Sequence, residues 1–97
     1  MSAGVISGNA FHIEVRDITV DLASVATITS GETSVTVNGV KTSDFVFVNG
    51  PSLTAGLGIV NCRVTAENTI AIDALNTTAG AINQASGTYK LLIIRPE

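Results

Sequence analysis

Apolar and polar side chains alternate along much of this chain. Val35 and Val37 are interleaved with Ser34, Thr36 and Asn38, and Ile70, Ile72 and Ala74 share one parity with Asp73 opposite. A period of two predicts half-buried strands. Val60, Cys62 and Val64 take one face of a further strand, with Ile59, Asn61 and Arg63 on the other. Glu67-Asn68 turns that segment into an antiparallel hairpin with Ile70–Ala74. From His12 to Leu22 the apolar positions are Ile13 and Val15, then Ile18, Val20 and Leu22. The parity reverses at Arg16-Asp17. That predicts a β-bulge or a turn there, because one extra residue moves every later side chain to the opposite face.

Phe45–Val48 and Leu91–Ile94 are unbroken apolar runs, which suits strands covered on both faces. Ala23–Thr29 reads as extended and Ser30-Gly31-Glu32 as a turn. Thr42-Ser43-Asp44 reads as a helical turn or tight loop. Asn38-Gly39, Asn49-Gly50-Pro51, the Gly-rich Leu53–Gly58 stretch and the polar Asn76–Gly87 stretch punctuate the strands. No segment carries a helical stripe of useful length. The pattern predicts an all-β fold, a small antiparallel β-sandwich or jelly-roll-like domain of about six to seven short strands. Residues 1–10, uncharged and mostly small, read as a flexible N-terminal arm, and residues 11–97 as the single sandwich domain.

Composition sharpens this picture. Ninety-seven residues suffice for one domain. Val, Ile and Thr account for 33 of them, and branched side chains favour the pleated sheet over the helix. Charged residues are 13% of the chain, about half the usual share, and the net charge is −3. Hydrophobicity this high excludes disorder, and a single cysteine excludes a disulfide framework. A net negative chain with five scattered cations offers no footprint for nucleic acid. The apolar runs are far shorter than the roughly 18 residues of a membrane span. Residues Met1–Phe11 hold no Lys or Arg, so a secretory signal is not expected, and the sequon at Asn76-Thr77-Thr78 is expected to stay unused.

The sparse charge has a further consequence. A domain of this size buries only about 60–65% of its unfolded surface, and a comfortable monomer surface is roughly 25–35% charged. Thirteen charged residues fall short of that. A second layer of protein from another copy resolves the mismatch. The residues expected to carry self-association are Phe45, Val46, Phe47 and Val48 with Leu91, Leu92, Ile93 and Ile94. Covering four or five such side chains yields on the order of 6–15 kcal/mol before association costs.

Candidate chemistry is thin. His12 is the only histidine, and no carboxylate or cysteine stands at a metal-ligand spacing from it. Cys62 reads as a small core hydrophobe, and Arg63 beside it points to the opposite face. Glu14, Asp17 and Asp21 lie on a strand and not in a cation-binding loop, and read as solvated or inter-subunit charges. Gly56-Leu57-Gly58 lacks the helix and lysine of a phosphate loop and reads as a turn. Tyr89 is the aromatic best suited to a sugar platform, but it falls in an expected core strand. No enzyme, metal or cofactor is implied. A catalytic reading would return if His12 stood within about 3 Å of a carboxylate or Cys62 in an open pocket.

The run VTVNGVKTSDFVFVNGPSLTAGLGIVNCRVTAENTIAIDALNTTAGAINQASGTYKLLIIRP, from Val35 to Pro96, resembles a pattern in small structural proteins of tailed bacteriophages. These are the decoration or cement proteins of the head shell and the domains of head fibres. The resemblance implies a β-sandwich that self-associates as a trimer on the outer capsid surface of the virion, after synthesis in the host cytoplasm. It would bind across subunits of the major capsid protein. A ligand specific for the expanded head stabilises that state by linkage. The side expected to meet the capsid is the arm with Phe11, His12, Glu14, Arg16 and Asp17. The alternatives are a head- or tail-fibre domain and a small carbohydrate-binding module. No partner in nucleic acid or membrane is implied.

Overall fold

A computed structural model describes residues 10–96, with side chains from His12 onward. Residues 1–9 of the proposed arm and the side chain of Phe11 lie outside the described residues, and Ala10 is the first residue of a strand. Six strands form: β1 (Ala10–Val20), β2 (Thr29–Thr36), β3 (Phe45–Asn49), β4 (Leu57–Ala66), β5 (Thr69–Asn76) and β6 (Gly87–Pro96). They make two three-stranded antiparallel sheets, ordered β1-β6-β3 and β2-β5-β4. No helix occurs among the described residues. The fold is all-β and sandwich-like, as the alternation predicts. Only the β4–β5 hairpin stays within one sheet; every other connection crosses to the opposite layer.

The core lies between the layers. Val20, Tyr89, Leu91, Ile93 and Val46 face inward from the first sheet, and Ile70, Ile72, Ala74 and Leu57 from the second. Val37 and Val40 of the β2–β3 connection, with Leu22, Val25 and Ile82 from the other crossings, complete it. At about 1.5–3 kcal/mol for each fully buried aliphatic side chain, this cluster is the main source of stability.

Three readings of the alternation need correcting. β1 has no irregularity at Arg16-Asp17, where the ladder with β6 runs unbroken from His12↔Arg95 to Val20↔Gly87. Its only register shift falls between Ala10 and His12. The parity reversal arises because Ile13 and Val15 point away from the core while Ile18 and Val20 point into it. Ser30-Gly31-Glu32 is not a turn. It pairs with Leu75–Asp73, and the ladder offered by β5 outweighs local turn preference. The bulge sits in β4 instead, between Ile59 and Asn61, and leaves Val60 exposed while Cys62 and Val64 pack on the core. Val60 therefore does not share a face with them. Ala23–Thr29 crosses between layers, held by the bridge Val25↔Ile82 and by side-chain bonds at Ala23, Val25 and Thr27.

Side chains close the loops. Asp44 accepts a hydrogen bond from Lys41 N at 2.9 Å, and Asp44 N donates to Lys41 O at 2.9 Å, making Lys41–Asp44 a tight loop. Asn68 sits at φ 62° in the β4–β5 turn, and its Oδ1 accepts from Gly39 N at 2.8 Å. Gly56 has φ 88°, and a Cβ there would clash with Thr78 Cγ2, so both conformation and space require glycine. Asn76 is fully buried. Its Nδ2 donates to Val25 O and Gly80 O at 3.0 and 2.8 Å, and its Oδ1 accepts from Thr78 N and Oγ1 at 2.8 and 2.7 Å. The sequon nitrogen is thus occupied inside the fold.

Candidate interaction surface

The register of the β1-β6-β3 sheet lines up its outward side chains in rows. Ile13, Ile94 and Phe45 form one row; Val15, Leu92 and Phe47 form the next. Only the third row, Asp17, Lys90 and Asn49, is polar. Ile13, Val15, Phe45 and Phe47 are 44, 66, 58 and 57% exposed. A depression of about 250 Å3 beside Val15, Phe47 and Leu92 indents the face. These side chains present on the order of 400 Å2 of contiguous apolar surface, within the range of the largest patch on a small monomer, which is often a functional one.

The residues expected to self-associate divide by face. Phe45, Phe47, Leu92 and Ile94 lie on this outer surface, whereas Val46, Leu91 and Ile93 are buried in the sandwich and Val48 packs on its core. Ile13 and Val15 belong to the same surface and were missed. Their parity pointed to it, but parity does not say which face is inside.

The charged residues of β1 are engaged within the molecule. Glu14 Oε2 accepts from Arg16 Nε and Nη2 at 2.9 and 2.7 Å, and Glu14 Oε1 lies 3.2 Å from His12 Nε2. Arg16 Nη1 reaches Asn38 O at 2.6 Å. Arg16, then His12, hold the Glu14 carboxyl below its ordinary range. Nearby, Arg95 grips Asp44 with two bonds of 2.9 Å, and Arg95 Nη2 donates to Gly39 O at 2.8 Å. The Asp44 carboxylate is wholly buried, and its pairing with Arg95 outweighs burial and lowers its pKa. Two arginines thus fasten the β2–β3 loop across the end of the sandwich. Asp17 stands apart, on the outer face.

A groove runs where β3 and β4, the free edges of the two layers, lie side by side. One stretch, about 410 Å3, is lined by Val46–Asn49 and Ile59–Cys62. The next, about 290 Å3, shares Val46, Phe47 and Cys62 and continues to Asp44 and Val64. Cys62 therefore does line an open groove, and His12 does stand near a carboxylate, but neither assembles reactive chemistry. Burial pushes the Cys62 thiol up to about 11, away from the thiolate a nucleophile needs. The Arg63 guanidinium is turned to Glu32, with bonds of 2.8 and 2.9 Å. The His12–Glu14 contact is exposed on a strand, and none of the three cavities described includes it. Tyr89 is fully buried, so it presents no ring to a sugar. No cluster of three or more metal-ligating side chains occurs among the described residues.

No family model, curated protein or solved structure matches the chain.

Proposed function

We propose that this protein is structural and acts by attachment, as a decoration protein that self-associates and binds across the subunits of a tailed-phage head. The observation that carries the reading is the outer face of β1-β6-β3, where two of three central rows are wholly apolar. Sealing about 400 Å2 on each of two surfaces at about 25 cal/mol/Å2 yields on the order of 20 kcal/mol, against association costs of about 4–15 kcal/mol. The scarcity of charge and the run from Val35 to Pro96 point the same way. In this reading the β3–β6 side of the sheet meets other copies. The β1 side, with Phe11, His12, Glu14, Arg16 and Asp17, is turned to the shell.

Two measurements test it. Sedimentation equilibrium at micromolar concentration is expected to show an oligomer. Cryo-electron microscopy of particles assembled from the genome that encodes the chain is expected to show a regular array of sandwich-sized density outside the shell. A stable monomer, or bare shells, overturns the proposal.

A further inference from the structure

The four free edges of the two sheets are not equally guarded. Native edge strands discourage pairing with charge, proline, bulges or shortness. β1 carries Glu14, Arg16 and Asp17 and a register shift near its start. β2 carries Gly31 and Glu32, and Ala23 N donates to its Thr33 hydroxyl at 2.8 Å. β4 carries Arg63 and two register shifts. β3, with the sequence FVFVN, has no charge, proline, glycine or bulge; its five-residue length is its only guard. Among the described residues its backbone bonds to β6 alone, so its other side offers unpaired N–H and C=O groups.

The surroundings of that edge are apolar too. Phe45 and Phe47 flank it on the outer face, the groove opens beneath it, and Val60, 55% exposed at the bulge, forms the far lip. We infer that β3 pairs antiparallel with β3 of a second copy across a two-fold axis perpendicular to the sheet. The result is a six-stranded sheet ordered β1-β6-β3-β3-β6-β1. A self-complementary edge closes on itself after two copies and leaves only the guarded edges open. The partner covers the groove, including Val48, Ile59 and Cys62. A specific interface needs about 1,000 Å2 over both copies, and the β3 edge, Phe45, Phe47, Val60 and the groove are the surfaces that supply it. Both pairs of phenylalanines fall on one side and meet across the seam, while the β1 ends of the sheet, with Ile13 and Val15, stay free for the shell.

This inference rests on the proposed self-association and makes its unit a dimer, not the trimer that the resemblance implies. The test is sedimentation equilibrium of the wild type, Val60→Lys and Val15→Lys, with hydrogen exchange of those β3 amides that do not bond to β6. Both substitutions fall on exposed side chains, so the fold is retained. The wild type is expected to be dimeric with slowed β3 exchange. Val60→Lys is expected to raise the dissociation constant at least tenfold and release that protection, whereas Val15→Lys, two strands away, leaves the dimer intact. Unprotected β3 amides, undiminished association in Val60→Lys, dissociation in Val15→Lys or a trimeric mass each overturn the edge pairing and leave the proposed function standing. A monomeric wild type overturns both.

Discussion

The two sheets share a core, but their outward faces are built for different surroundings. On β2-β5-β4 the outward rows are Ser34–Ala71–Arg63, Glu32–Asp73–Asn61 and Ser30–Leu75–Gly58. That face is laced by the Arg63–Glu32 pair and is suited to water. On β1-β6-β3 two of the three corresponding rows are made of Ile, Val, Leu and Phe, and only Asp17–Lys90–Asn49 is polar. A two-layer sandwich needs one apolar face per sheet. The second sheet stops there, and the first carries two. The low charge of the chain is therefore concentrated into one uncovered face and not spread evenly. An average over the whole chain cannot show that asymmetry, and it is the feature that asks for a partner.

The largest effect should come from reversing this contrast. Phe45→Lys combined with Phe47→Lys is expected to abolish self-association, more than 100-fold in dissociation constant, with the circular dichroism of a folded sandwich retained. Ser30→Lys combined with Ser34→Lys, on the other sheet, is expected to leave the sedimentation profile unchanged. Equal effects from both pairs would mean that the faces do not differ in role.

Next in size is the buried carboxylate that fastens the end of the first sheet. Asp44→Ala removes both bonds from Arg95 and the one from Lys41 N. It is expected to cost about 2 kcal/mol, or roughly 10 °C in Tm for a domain of this size. Asp44 also titrates at a depressed pKa in the folded state. Its contribution is therefore complete above its unfolded pKa of about 3.9 and is lost as pH falls from there through the lower folded value. Thermal melts between pH 2 and 7 should show a shallower acid limb in Asp44→Ala than in the wild type.

The smallest effect belongs to the solvated face. The Arg63–Glu32 pair is geometrically as good as the Arg95–Asp44 pair, with bonds of 2.8 and 2.9 Å, but both partners lie in water. Arg63→Ala is expected to leave Tm unchanged within error by calorimetry, because exposed ion pairs add little. A drop like that of Asp44→Ala would show that exposure does not separate the two pairs.

Local chemistry determined the fold class, the β4–β5 hairpin, the loop between Asn76 and Gly87 and the shortage of charge. Branched side chains, turn dipeptides and a period of two act over a few residues and can be read along the chain. Tertiary structure decided which parity faces inward. Ile13 and Val15 differ from Ile18 and Val20 only through the layer on which each packs, so β1 looked broken where it is continuous. The same holds for Ser30–Glu32, a turn by composition and a strand because β5 supplies a ladder, and for Val60, turned out by a bulge that only the register against β5 defines. The apolar face has the same origin. Ile13, Ile94 and Phe45 are far apart in sequence and become one row only when β6 pairs with both of its neighbours, since alternation sets which side chains share a strand face but long-range register sets which strands share a surface.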